Sequence, residues 1–534
     1  MQPKKISVMR LGKQAVALFV ALVCSTQIFA KDLVIALRTE PTSMDPHFHS
    51  LTSNIQINQT IFDALLFRDA EMNVQPSLAE SWSVDDRVWT FKLREGVKFS
   101  DGTPLTAEDV VFSLNRVPLV PNAPAPLTIY LQQIVKIEAI DDRTVQITTE
   151  NPYPLVPNNL TSVPIMSAKI AAGTAPEGKT TQQLNSGDGL IGTGPYRFVS
   201  WKRGNELVFE RNPNYWGEAP EWDRVIYRFI SNPASRVAAL QAGDVDLIED
   251  PAVENIEYLK KDANVNVVIK GPTYRVIFIG LDVGREINSP GISGTEGGKN
   301  PLIDPRVREA MSLAIDRKAI VERIMNGMAT PAAQLLPYPM FGTSADLVEP
   351  VKPDLARAKA LMAEAGYEKG FNLVLSTPNG RYMNDVKLAQ TLAAMWAHIG
   401  IKTTVDAKAP AVYFSGLNKL EYSASLLGWG AGTGEVSNPI TALMVTVDPK
   451  KGLGTSNYWG YSNAELDALV AKAGRELDDT KRSEMLQQAM KMGLNDYAVL
   501  PLQFEHSIWA MKKDISYAGR VDQMTMAASV KSNK

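Results

Sequence analysis

The sequence predicts an α/β protein of more than one domain, and three observations carry that reading. The chain has 534 residues, more than a single hydrophobic core organises, so two or three domains are expected. Between about Asp63 and Leu190 it reads as short strands with proline-rich connections, whereas beyond Gly291 strands alternate with helices. At 45% hydrophobic and 21% charged residues the composition is that of an ordinary globular protein, which excludes disorder on a large scale.

The first thirty residues stand apart. Lys4, Lys5, Arg10 and Lys13 precede the apolar run AVALFVALVC (Ala15 to Cys24), and after a short polar break Ala30 meets Lys31-Asp32. A basic start, a short apolar run and a small residue at the end read as a secretory signal peptide over residues 1–30, giving a mature start near Lys31. The run is shorter than the roughly 20 residues a helix needs to span a bilayer. An uncleaved anchor, and a lipid anchor on Cys24 for which Val23 is the wrong neighbour, are the alternatives. Removing those four cations from 55 basic residues leaves 51 against 58 acidic ones, a net charge of −7. That balance argues against non-specific nucleic-acid binding. Cys24 is the only cysteine, so the mature chain forms no disulfide.

Elements follow in order. FKLREGVKFSDGTPLTAEDVVFSLNR (Phe91 to Arg116) contains strand, turn and helix signals. Trp89, Phe91 and Leu93 alternate with polar residues as in a half-buried strand. Ser100-Asp101-Gly102 is a turn, and Thr106 with Asp109 resembles a capping box. Arg143 to Val156 alternates until its prolines. Strands are expected at Arg197–Val199, Glu206–Glu210 and Val225–Ile230, and the helix from Pro233 to Ala242 stops at Gly243. SGTEGGKN (Ser293 to Asn300) is a loop. Asp304-Pro305 starts a helix expected to run to Gly327. Asp354 caps another that stops at Gly366. Strands at Phe371–Thr377, Ile401–Ala407 and Ser423–Trp429 alternate with helices, including one from Asp385 stopped by Gly400. Such alternation implies a parallel sheet with right-handed crossovers. The helix Thr480 to Asn495 leads into one strand-like run, Val499 to Met511. No internal repeat is present.

In open α/β sheets ligands lie beyond the carboxyl ends of the strands. Two loops occupy that position. TPNGRYMND (Thr377 to Asp385) displays Arg381 and Tyr382; GWGAGTGEVSNP (Gly428 to Pro439) displays Trp429 and Glu435 on a glycine-rich backbone. A guanidinium, an indole and a carboxylate on neighbouring strand ends suit a zwitterion with an apolar body. Each residue taken alone also fits a surface charge or a core aromatic. Catalytic patterns are weaker: there is no Gly-x-Ser-x-Gly nucleophile motif and no phosphate-cradling Gly-Lys-Ser/Thr. His47 and His49 can share a strand face, but no further ligand stands at metal-binding spacing. The acid pairs Asp85-Asp86, Asp141-Asp142 and Asp478-Asp479 sit in turns or helix starts.

Phe91 to Arg116 closely resembles the signature of the family 5 extracellular solute-binding proteins, the peptide, oligopeptide and nickel receptors of ATP-binding-cassette importers. PTSMDPH (Pro41 to His47), PSLAESW, GTGPYRF, ERNPNYWG, LQAGDVDL, DPRVREAMSLAIDRKAI and KALMAEAGY resemble further family landmarks, in order along the whole mature chain. The resemblance implies a periplasmic-binding-protein fold of type II: two lobes closing on a cleft, with an extra inserted domain. Domain I would comprise 31–62, 191–283 and 505–534, domain II 63–190 and domain III 284–504. It further implies a periplasmic, monomeric receptor without cofactor or catalysis, serving an inner-membrane permease and its cytoplasmic ATPase. Peptides are the expected solute; a glutathione-like molecule, an opine, an oligosaccharide or a nickel chelate are alternatives, and a secreted hydrolase is the reading from another class. Ser50, Leu51 and Thr52 correspond to the loop that pairs with a peptide backbone. Arg381 corresponds to an arginine that holds the ligand carboxylate. The acid that holds the ammonium, three residues past the tryptophan, falls here on Gly432, which leaves Glu435 as the nearest substitute.

Overall fold

The computed structural model describes residues 31–171 and 177–533; the expected signal peptide, Cys24 included, lies outside the described residues. Two seven-stranded sheets dominate. The first runs Val265–Lys270, Ser507–Lys512, Leu247–Glu249, Asp32–Leu37, Arg224–Phe229, Glu206–Arg211, Tyr196–Lys202. Asp32–Leu37 is parallel to both of its neighbours and buries Leu33, Ile35 and Leu37 on one face and Ala36 on the other. The second sheet runs Ile292–Ser293, Asn372–Pro378, Ala424–Gly430, Arg275–Leu281, Val499–Glu505, Ala329–Pro331, with Lys402–Lys408 paired to Asn372–Pro378. In Arg275–Leu281, Val276 and Phe278 enter one core while Ile277, Ile279 and Leu281 enter another. A sheet buried on both faces needs apolar residues at successive positions. A separate antiparallel sheet of Ala79–Asp85, Val88–Leu93, Thr144–Thr149 and Ile134–Asp141 lies wholly inside the 63–190 segment and has its own core around Phe91, Val145 and Ile147.

Local signals place many ends. Asn232 caps Pro233–Ala242 through the Ser235 N–H at 2.9 Å, and Gly243 closes that helix at φ 82°. Asp354 caps Leu355–Glu364 through the Arg357 N–H at 2.9 Å. Asp109 accepts the Thr106 N–H at 2.7 Å, as the capping box requires.

Four expectations change. The second sheet is mixed: Asn372–Pro378 is parallel to Lys402–Lys408 and Ala424–Gly430, but Arg275–Leu281 and Val499–Glu505 run antiparallel to their neighbours. Val499 to Met511 is two strands, Val499–Glu505 in the second sheet and Ser507–Lys512 in the first, divided at His506. Arg275–Leu281 belongs to the second sheet, so the first crossing falls between Lys270 and Arg275 and not after Val283; the return falls at His506 and not ahead of Glu505. The helix from Pro305 ends at Leu313, and only a short helical turn at Arg317–Ala319 and a π-type turn at Ile320–Ile324 follow. The Arg317 side chain donates to the carbonyls of Ser312 and Pro501 there. No helix among the described residues is long and apolar enough to cross a membrane.

Candidate ligand-binding site

The parallel pairing of Asn372–Pro378 with Ala424–Gly430 brings both carboxyl ends to one edge of the second sheet. Arg275 stands opposite Gly430, and Val276 opposite Phe504, so the start of one antiparallel strand and the end of the other, at Glu505, share that edge. Both crossings to the first sheet leave from it. At the tighter of them, a Cβ on Gly271 would lie 2.0 Å from the His506 ring.

Arg381 follows the edge in a turn built by Asp385. One oxygen of that carboxylate accepts the N–H groups of Arg381 (2.8 Å) and Tyr382 (3.1 Å), and the other accepts those of Gly380 and Val386. Glu505 accepts the Met383 N–H at 3.2 Å, tying the turn to the sheet edge. Tyr382 packs on Gly428, where a Cβ would come 2.6 Å from its ring, and donates to the Gly428 carbonyl at 3.3 Å. The Arg381 guanidinium lies over the Tyr382 ring at 5.3 Å and forms no ion pair among the described residues. Burial pulls it below its ordinary pKa, and the guanidinium of Arg275, then that of Arg38, add to the effect. Those two cations have partners: Arg275 lies 3.6 Å from Glu505 and donates to Gln523 at 2.9 Å, while Arg38 sits 3.4 Å from Asp250. Arg381 is the cation left to be matched.

Trp429 is half-buried in Ala424–Gly430, and its indole N–H donates to Asn438 at 2.8 Å. Gly432 is exposed, with open space where a Cβ would project. Glu435 does not face that space. It is 2% exposed, pairs with Arg482, accepts from Ser437, and takes the Asn158 side-chain N–H at 3.2 Å. Its charge is neutralised inside the protein, contrary to the expectation that it receives a cationic ligand group. The backbone of the 50–52 segment, expected to pair with a peptide, is already engaged within the protein. The Ser50 N–H donates to Ala125 at 2.9 Å, Leu51 is the N-cap of the helix Thr52–Ile61 with its carbonyl accepting from Ile55, and Thr52 is already helical. The Leu51 side chain, 42% exposed, is what this segment offers outward.

His47 is fully buried and structural. Arg116, paired bidentately with Asp45 at 2.8 and 2.9 Å, donates to His47 Nδ1 at 3.1 Å, so Nε2 carries the proton and donates to the Pro164 carbonyl at 2.8 Å. Burial, followed by the Arg116 charge, lowers its pKa to about 4. His49 meets the Thr42 hydroxyl at 2.9 Å. Among the described residues no group of three or more His, Cys, Asp or Glu is placed to hold a metal. Sequence reasoning missed Arg68, which donates to the Thr433 carbonyl at 2.8 Å and the Asn158 carbonyl at 2.9 Å, linking the strand Leu66–Arg68 to the loop beyond Gly432. It also missed Arg38, Arg275 and Glu505. Their shared position at strand ends is the one signal that could have found them.

The profile of the bacterial extracellular solute-binding proteins, family 5 (Middle), matches residues 73–449. The chain belongs to this family. Family-5 receptors are non-catalytic and work with a membrane permease and its ATPase. The glutathione-binding protein GsiB of Escherichia coli (strain K12) is 28% identical over 518 residues, 96% of each chain. The DppA periplasmic binding protein of Helicobacter pylori, solved with the peptide STSA, superposes with a TM-score of 0.75 at 24% identity, over 95% of this chain and 99% of that one. AgaA of A. tumefaciens R10, solved with agropinic acid, gives 0.73 at 24% identity over 94% and 98%. These likenesses assign the two-lobed, type II periplasmic-binding-protein architecture to this family-5 chain.

Proposed function

We propose that the protein is the periplasmic receptor of an importer for a small peptide-like solute with a free carboxylate, glutathione being the first candidate. The observation that carries this reading is Arg381, a partly buried guanidinium at the sheet edge that faces the crossings, without an ion-pair partner among the described residues. A planar guanidinium grips a carboxylate through two parallel hydrogen bonds, and removing such a partner from a desolvated carboxylate is costly. Trp429, half-buried on the neighbouring strand, offers apolar contact area. The glutathione-binding relatives favour a tripeptide-like solute over an ordinary dipeptide, and so does the missing acid at Gly432, because a γ-linked peptide carries its ammonium elsewhere. Export would follow cleavage after Ala30.

Thermal denaturation against glutathione, di- and tripeptides, agropinic acid and nickel–histidine ranks the solutes, since a ligand of the native state alone raises the melting point. For the solute that binds, Arg381→Ala should cost about 2–5 kcal/mol in calorimetry. Unchanged affinity removes Arg381 from the site.

A further inference from the structure

A cavity of about 290 Å³ is lined by Asn58, Asp63, Arg68, Tyr215, Trp216 and Arg520, among others. We propose that it is a subsite for a primary ammonium group, with Asp63 as counter-charge and the Asn58 side-chain oxygen as second acceptor. The proposal deepens the reading above, since it assigns a place to the amino end of the solute.

Asp63 is held without being neutralised. Trp216 Nε1 and the Thr193 hydroxyl both donate to its Oδ2, at 2.8 and 2.9 Å. The flanking Gly192 and Gly194 let that loop press against the Ile61 carbonyl, which accepts the Gly194 N–H at 2.8 Å. Oδ1 makes no hydrogen bond and Asp63 has no ion pair among the described residues; the residue is partly exposed and lines the cavity. Burial pushes its carboxyl up, opposed only by those two neutral donors. Asn58 is 2% exposed; its amide N–H donates to Pro46 at 3.4 Å while Oδ1 has no partner. Buried acceptors without donors are rare in native proteins, and here Asn58, with its orphaned amide oxygen, and Asp63 line one cavity. Tyr215 adds aromatic surface of the kind that attracts cations.

The cations nearby are engaged. Arg520 pairs with Asp522 and donates to the carbonyls of Arg68 and Asp69. Arg68 donates to Thr433, Asn158 and Met72 carbonyls. Arg94 covers the Trp216 ring at 4.6 Å and donates to Ser77. Arg68 also joins the cavity to the site already described, because the carbonyl it holds is one residue past Gly432, where the ammonium-binding acid is missing. His49 lines the cavity beside the 50–52 segment.

The indole N–H resonance of Trp216, identified by its loss in Trp216→Phe, reports the cavity in the intact mature protein. Ethylammonium chloride should shift it saturably, whereas sodium chloride and ethanol should not. Asp63→Asn keeps an acceptor for Trp216 and Thr193, and should weaken the response at least tenfold; Asn58→Ala should weaken it severalfold. An absent shift, or one unaltered in Asp63→Asn, overturns the subsite. In calorimetry N-acetylglutathione should bind at least tenfold more weakly than glutathione, and Asp63→Asn should abolish the difference. Equal binding of the two by the wild type overturns the subsite but leaves the carboxylate reading intact. A Trp216 response to ethylammonium with no heat from glutathione leaves the subsite standing and removes glutathione as solute.

Discussion

His47 shows how a residue that looks like a ligand can be part of the frame. Its Nδ1 must accept from Arg116, so a second proton breaks that contact and places a cation beside a cation. The folded pKa of about 4 lies below the ordinary 6.5, so between these values the unfolded chain binds more protons than the native one. The stabilisation is complete above pH 6.5 and is lost as pH falls through 4, amounting to roughly 3 kcal/mol for a buried group. Denaturant titrations across that window should show the loss, and His47→Gln should flatten the slope. An identical slope in the variant moves the titration to other groups. The position of Arg381 was legible at this scale because chain order alone puts it just past the end of the strand Asn372–Pro378. Glu435 was not: Arg482, 47 residues away, neutralises it, and no local pattern announces a partner at that distance.

Among the elements, the two connections between the large sheets matter most for movement. Lys270 to Arg275 and the single residue His506 join the sheets, and the His506 ring occupies the space a side chain at Gly271 would need. Gly271→Ala must therefore displace one connection from the other, and overpacking of this kind costs about 1–3 kcal/mol. A fall of that size in urea denaturation is expected; none would mean that the connections part freely. The sequence marked helix ends well, because Asp354, Gly243 and Gly366 act within one turn of chain. It could not divide Val499 to Met511, since a strand buried in either sheet shows the same apolar run, and sheet membership is decided by distant partners. Nor could it end the helix at Leu313, where the Arg317 side chain reaches the Pro501 carbonyl, a contact with another strand.

Over the whole molecule, each large sheet has cores on both faces, and beyond the crossings the lobes meet through a small apolar cluster of Val253, Ile256, Met328 and Ile508 and through polar contacts. Arg68 to Thr433, Asn158 to Glu435 and Lys387 to Glu254 at 3.1 Å are among them. Rigid bodies joined by two short connections and such contacts rotate about a hinge more readily than they deform. An anion that bridges them through Arg381 would then favour the closed arrangement by its differential affinity for it. Small-angle X-ray scattering of the mature protein with and without saturating glutathione tests this directly. A smaller radius of gyration with glutathione is expected, and no change for Arg381→Ala at the same concentration. Superimposable wild-type curves, under conditions where calorimetry shows the sites filled, would contradict it.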